Sequence, residues 1–270
     1  MRIFTNVNSY AIQNSLDRTI SATRTSLERL ASGLRINRAG DDAAGLSLSE
    51  GLRSQIRGNR MAQRNSNDGL AMLQIAESGT QQITDSLQRM RELALQASNG
   101  AYSNTDRGYL QQEYSALASE ISRIATATTY NGIPLLASTT AMSFQVSSSG
   151  TGAGASIAFN PSNLSTGLSF GGVSTQSAAQ SAVASVDTVI GTILGFRSRI
   201  GATMNRLEST VFGLGDMVTN LLDADSRIRD ADFAFETMQF TKHQILIKSG
   251  ESMLGQANQL PSAVLKLMEK

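Results

Sequence analysis

The chain has 270 residues, with 23 basic and 22 acidic side chains, one histidine, no cysteine and no tryptophan. A net charge of +1 argues against a nucleic-acid binder, which carries a basic excess. The missing cysteines exclude disulfides and thiolate metal sites. Only 5% of residues are aromatic and three are proline, so long helices are expected rather than a core built around large rings. The first 30 residues show no basic start followed by an apolar stretch, so no cleavable signal peptide is expected. No continuous run of about 18 apolar residues is present either, and no membrane insertion is expected.

In chain order, Ile12, Leu16, Thr23, Leu27, Leu30 and Leu34 fall on one face of a first amphipathic helix. Asp41 and Asp42 then supply N-capping carboxylates for a helix from about residue 43 to 98. At 1.5 Å per residue such a helix is on the order of 80 Å long. Along it, Leu73, Ala76, Thr80, Ile83, Leu87, Met90, Ala94 and Ala97 alternate steps of three and four. Ser98-Asn99-Gly100 ends it, and Asn104 to Asp106 starts a third helix seamed by Leu110, Tyr114, Leu117, Ile121 and Ile124. Tyr130-Asn131-Gly132 signals a turn.

Residues 138–177 are rich in Ser, Thr, Gly and Ala and almost uncharged; within them Phe144, Val146, Ile157 and Phe159 alternate as in a β-hairpin. Helical spacing returns from 178, with Val186, Val189, Ile193, Phe196 and Ile200, one 4-4 slip to Met204, then Leu207 to Leu221. A narrow 3.5-residue seam cannot be buried by one helix alone. The expected fold is therefore all-α: a long antiparallel coiled-coil-like bundle, rod-shaped, with a small β-hairpin. A last amphipathic helix carries Met253, Ala257, Leu260, Val264 and Leu267. The two end helices either dock on each other within one monomer or order only against further copies; periodicity does not choose between these.

Chemistry-bearing clusters are sparse. His243 is the one histidine, flanked by Thr241, Lys242 and Gln244, and reads as a polar helix residue. Asp41 and Asp42 lack calcium-loop spacing. Asp223, Asp225, Asp230 and Asp232 alternate with Arg227 and Arg229, as expected of ion pairs on helix faces. Gly45, Gly51, Gly58, Gly69 and Gly79 suit close helix approach and form no phosphate-binding loop. No catalytic, cofactor-binding or metal-binding residue is expected.

Several polar words resemble the bacterial flagellin family. They include Ser32-Gly33-Leu34-Arg35-Ile36-Asn37, Asp41-Asp42-Ala43-Ala44-Gly45-Leu46, Arg64-Asn65-Ser66-Asn67-Asp68-Gly69 and Gln88-Arg89-Met90-Arg91-Glu92-Leu93-Ala94. Towards the other end stand Ser226-Arg227-Ile228-Arg229-Asp230-Ala231-Asp232 and Met253-Leu254-Gly255-Gln256-Ala257-Asn258-Gln259. The resemblance covers roughly residues 1–137 and 178–270. It implies a structural subunit that polymerises into a flagellar filament and is no enzyme. Terminal helices 1–42 and 228–270 would pair as a coiled coil (D0); 43–137 and 178–227 would form D1; 138–177 would replace the outer domains of longer flagellins.

By the same resemblance, the subunit leaves through the flagellar type III apparatus for assembly at the filament tip. A cytoplasmic export chaperone would hold the C-terminal helix around 230–270, and hook-associated proteins and a filament cap would flank the polymer. Leu16, Leu27, Leu34, Met253, Leu260 and Leu267 would be buried by subunit packing. Arg89, Leu93 and Glu113 match the face by which some flagellins engage Toll-like receptor 5. The filament would be extracellular, with a periplasmic filament as the alternative. The opening Met1-Arg2-Ile3-Phe4-Thr5-Asn6 is instead similar to hook-associated junction proteins, which makes an adaptor the competing function. A surface receptor binding through 138–177 is a further alternative.

Overall fold

The computed structural model describes backbone positions 6–150, 152, 154–166 and 168–268, and side chains as far as 259. Five helices dominate: α1 (Val7–Ser32), α2 (Ala43–Ser98), α3 (Asn104–Ala127), α4 (Gln176–Arg229) and α5 (Phe233–Met268). Between α3 and α4 lie β1 (Thr129–Tyr130), β2 (Ile133–Pro134), β3 (Met142–Gln145) and β4 (Ser156–Phe159). The chain divides into one unit of Met1–Ser54 with Asn220–Lys270 and a second of Gln55–Thr219.

The second unit holds the main core. α2 and α4 run antiparallel through it, as the Arg91–Asp187 pair at 2.6 Å and the Glu77–Arg197 pair at 3.8 Å require. The heptad residues Leu73, Ile83, Leu87 and Met90 of α2 meet Val186, Ile193, Phe196 and Ile200 of α4, all at most 1% exposed. α3 adds Tyr114 and Ile121. The helix start at Asn104 follows from a capping box: the Asp106 N–H donates to Ser103 Oγ while the Ser103 N–H donates to Asp106 Oδ2. Arg107, 5% exposed, closes the other side of the same turn. It donates from Nε to Ala97 O at 2.8 Å and from Nη2 to Asn99 O at 2.9 Å, satisfying carbonyls at the end of α2.

The β region comprises two antiparallel two-stranded ladders, where the sequence suggested a turn and one hairpin. Asn131 and Gly132, with φ of 47° and 78°, make the tight β1–β2 reversal. In the β3–β4 ladder Phe144 pairs with Ile157 and Met142 with Phe159. Strand alternation buries Ile157 and Phe159 and leaves Ser156 and Ala158 outside. Phe159 then meets Phe196 of α4 at 5.8 Å between ring centroids. Three of the α2 glycines admit neighbours here. A Cβ on Gly58 would lie 2.6 Å from Ser148 Cβ, one on Gly69 2.9 Å from Phe144, and one on Gly79 2.7 Å from Thr128 Oγ1. Gly51 has nothing within 4 Å, so close approach does not account for it.

An 18-residue window of α4 has a mean hydropathy of 1.3, which by length and composition alone would suffice to cross a membrane. The window is not an uninterrupted apolar run, and core helices pass the same test of length and composition. Its apolar seam is the core face just described, and one third of the window is buried in the chain itself.

Candidate assembly surface

In the first unit α1 and α5 pack antiparallel along their length. Arg29 donates to Glu236 at 2.9 Å near one end, and Asn6 Nδ2 donates to Ala257 O at 2.9 Å near the other. The side chains turned inward on α1 keep strict three-four spacing: Ser9, Ile12, Leu16, Thr19, Thr23, Ser26 and Leu30. Those on α5 do the same, with Glu236, Phe240, His243, Ile247, Gly250, Leu254 and Ala257. Four of these seven α1 side chains are hydroxylic. Thr19 and Thr23 satisfy their hydroxyls on carbonyls one turn back, at 2.9 and 2.8 Å, and so present methyl groups to α5. Gly250 lets Leu16 close in, since a Cβ there would sit 3.2 Å from Leu16 Cδ1.

This geometry redistributes the six residues expected to form the terminal stripes. Leu16 lies in the seam. Leu27 and Met253 are 54% and 53% exposed and point outside it, Ser26 and Leu254 taking the inward positions. Leu34 is not on the helix at all. Gly33, at φ 71°, caps α1 in the left-handed region, and Leu34 instead bridges to Asp230. The side chains of Leu260 and Leu267 lie outside the described residues. His243, a helix residue as expected, is half-buried in the seam with Nδ1 lacking a hydrogen-bond partner among the described residues.

The expected ladder of ion pairs around residue 228 is realised only at Arg227–Asp223, 2.8 Å apart. Two other members, Asp225 and Arg229, reach α2 instead. Asp225 receives Ser49 Oγ at 2.5 Å and Arg53 Nε at 3.1 Å, both from α2. Burial would raise the Asp225 pKa, but the Ser49 hydroxyl and the Arg53 guanidinium outweigh it and hold the carboxyl below its ordinary range. Arg229 pairs with Glu50 at 3.0 Å. Asp232 caps α5 by accepting from the Ala234 and Phe235 N–H groups. Asp42 caps α2 through the Gly45 N–H, whereas Asp41 closes the preceding turn on the Asn37 and Arg38 N–H groups, and these backbone bonds lower its pKa. The α1–α2 and α4–α5 links are stitched together by Arg35 N to Arg229 O (2.7 Å) and Ala231 N to Gly33 O (2.9 Å).

Part of what this arrangement leaves outward is apolar. On α5, Phe235, Met238, Ile245, Leu246 and Met253 are each between 47% and 63% exposed. They share one side of the helix, with Met238 and Ile245 farthest from the α1 seam and Met253 at its edge. An open cleft of about 750 Å³ between the two helices is lined by Asn8, Ala11, Ile12, Met253, Gln256 and Ala257. Monomeric proteins rarely display apolar faces of this extent unless a partner covers them. Among the described residues no three His, Asp or Glu side chains are grouped to hold a metal ion.

The second expected face, in the other unit, is only partly a surface. Arg89 donates from Nε and Nη2 to Glu113 Oε1 at 2.9 and 2.8 Å, and from Nη1 to Glu92 at 3.1 Å. These charges are about half exposed, but Leu93 is 1% exposed and belongs to the core between the helices. Leu93 shares the α2 seam with Leu87 and Met90, a position that resemblance alone did not separate from the surface.

Comparison with known proteins gives a consistent result. Family models for the bacterial flagellin N-terminal and C-terminal helical regions match residues 3–141 and 183–268. The chain is 40% identical to a flagellar filament 33 kDa core protein of Treponema phagedenis, over 97% of this chain and 98% of that one. It is 43% identical to a flagellin of Halalkalibacterium halodurans over 90% of both chains, and 38% identical to a flagellin of Bacillus subtilis over 99% and 100%. Among solved structures, Bacillus cereus flagellin superposes with a TM-score of 0.50 at 29% identity, covering 56% of this chain and 88% of that one.

Proposed function

The chain belongs to the bacterial flagellin family and is a structural subunit of a flagellar filament, not an enzyme; from that premise we propose that the exposed flank of the α1–α5 pair is the surface that drives polymerisation. The observation that carries this is the row Phe235, Met238, Ile245, Leu246 and Met253, left exposed beside the face of α5 that α1 occupies. Copies of the same chain would bury that row and Leu27 with it, adding the hydrophobic term that drives association. Leu16 supports the pair from within.

Before assembly the same row needs cover. An export chaperone that takes the α5 stripe would keep the subunit from polymerising early, and the type III apparatus would pass it to a growing tip bounded by hook-associated proteins and a cap. We place the filament outside the cell. A periplasmic filament is the competing location. The half-exposed Arg89–Glu113 pair supports a Toll-like receptor 5 contact at that level, with Leu93 acting from beneath the surface rather than as a contact.

Deletion of the gene tests the reading in the cell. The expected result is loss of filaments and swimming, restored by the full chain but not by one carrying Phe235, Met238, Leu246 and Met253 changed to Ser. Filaments unchanged by the deletion would contradict it. Immunogold labelling of intact cells against cells stripped of their envelope decides between the two locations.

A further inference from the structure

The β3–β4 ladder has two outer edges, and the helices beside it serve only one of them. The bond from Val146 N to Ala155 O at 2.9 Å sets the phase of the ladder. In an antiparallel pair, hydrogen-bonded residue pairs alternate with unbonded ones. By the register, Phe144–Ile157 and Met142–Phe159 are therefore bonded pairs, while Gln145–Ser156 and Ser143–Ala158 turn their N–H and C=O groups outward. On the β3 side α2 answers, for Asn65 Nδ2 donates to Gln145 O at 3.3 Å. On the β4 side α4 makes no such bond among the described residues. The outward backbone groups of exposed Ser156 and Ala158 are left as an open strand edge.

What borders that edge is basic. Arg199, Ala202, Arg206 and Ser209 follow one another at steps of three and four along one exposed flank of α4. Two clefts that share Arg206 separate this flank from β4. One, of about 200 Å³, is lined by Ala158, Asn160, Arg199, Ala202 and Arg206 among others. The second, of about 490 Å³, adds Ser156, Asn205 and Ser209. No Asp or Glu lines either cleft. Arg199 is oriented by the Phe196 ring, whose centroid lies 5.5 Å from its Cζ, and by Ser162 Oγ at 2.6 Å, and neither neutralises its charge. Arg206 has no side-chain partner among the described residues. Glu208, two residues on, points about 160° away from Arg206 round the helix.

We propose that β4 is a docking edge for an extended acidic peptide of another protein, which adds as a third strand beside Ser156 and Ala158 and sets its carboxylates on Arg199 and Arg206. Backbone bonds to an open edge give such a strand its affinity, and the side chains alternating along it give its specificity. Alternate side chains of a strand stand about 7 Å apart. Arg199 and Arg206 are about 10 Å apart along α4, a difference their long stems absorb. Each guanidinium presents a fork that holds a carboxylate bidentately. Ala202 between them leaves room for the added backbone. The chain's own stretch between α3 and α4 does not supply this strand, because residues 128–175 contain no Asp or Glu. The contact is thus separate from assembly with further copies, and it does not rest on the filament reading.

The test is fluorescence anisotropy of a capped, labelled peptide of alternating Thr and Glu, titrated with the full-length subunit. Saturable binding is expected, weakened at least about tenfold in R199S/R206S and unchanged in R57S/R60S, which removes exposed arginines of α2 instead. Ala158→Pro deletes an outward N–H without touching a bond of the β3–β4 ladder, a change that edge strands tolerate. It should weaken binding at least about fivefold at unchanged circular dichroism. Two further peptides, N-methylated at every Glu or at every Thr, carry the same charge. Only the one whose methyl groups face β4 should lose binding, and this comparison stands even where Ala158→Pro fails to fold. Absence of saturable binding overturns the proposal. So does equal binding by a Thr–Lys peptide, by R199S/R206S, or by both N-methylated peptides. If, without peptide, the unsubstituted subunit sediments faster than Ala158→Pro, the edge belongs to a second copy and the proposal is likewise overturned.

Discussion

Asp225 concentrates several interactions in one carboxylate, because Ser49 and Arg53 of α2 both end on it. Its folded pKa lies below the ordinary value of 3.8, so its contribution to stability is present above that pH and is lost as the pH falls through the lower, folded value. Urea unfolding between pH 7 and pH 3 is expected to show a drop below about pH 4 that flattens in Asp225→Asn. At neutral pH that variant should be less stable by about 1–3 kcal/mol, the usual cost of stranding a buried partner. Arg107 has a comparable position at the end of α2. Arg107→Lys keeps the charge but loses the planar fork that reaches Ala97 O and Asn99 O together, so it should cost about 1–2 kcal/mol and speed amide exchange over residues 97–107. Tyr114 is buried with its hydroxyl on Phe170 O at 2.6 Å, and burial pushes its pKa up to about 12.

At the scale of elements, the long seams were legible because a 3.5-residue period survives over many turns, and α2 begins and ends at Ala43 and Ser98 as the caps and the Ser-Asn-Gly break suggested. The terminal pair was less legible. Its α1 seam runs through Ser9, Thr19, Thr23 and Ser26, small hydroxylic residues that a search for apolar stripes passes over in favour of Leu27. Leu34 was misplaced because the left-handed cap at Gly33 breaks the helix inside a continuous apolar spacing. Arg107, as a cap for its neighbour's carbonyls, has no signature in local sequence. The α2 glycines give a paired prediction. Gly79→Leu must displace Thr128 and Leu136 and should destabilise the second unit by about 1–3 kcal/mol in thermal unfolding. Gly51→Ala meets nothing within 4 Å and should stabilise its helix by about 0.5–1 kcal/mol in the monomer. If Gly51→Ala nevertheless weakens polymerisation, the space beside Gly51 is filled by another copy.

For the whole molecule, the fold is explained by burial in one unit and left open in the other. The second unit closes a core of helix seams and a β-hairpin. The first pairs two helices and leaves large apolar side chains on their outer flank, a pattern that makes sense for a chain whose stable state includes its copies. The function was legible from polar words such as Asp41-Asp42-Ala43-Ala44-Gly45-Leu46, which heptad periodicity by itself does not produce. The surface that performs it was not, because exposure depends on which side of each helix the partner occupies. The most direct test compares seeded growth, by electron microscopy, of the full chain with a chain of residues 43–228 that lacks both terminal helices. Long tubular filaments from the full chain alone are the predicted result. Monomers or short rings from the full chain, or filaments from both, would contradict the claim that the terminal helix pair drives assembly.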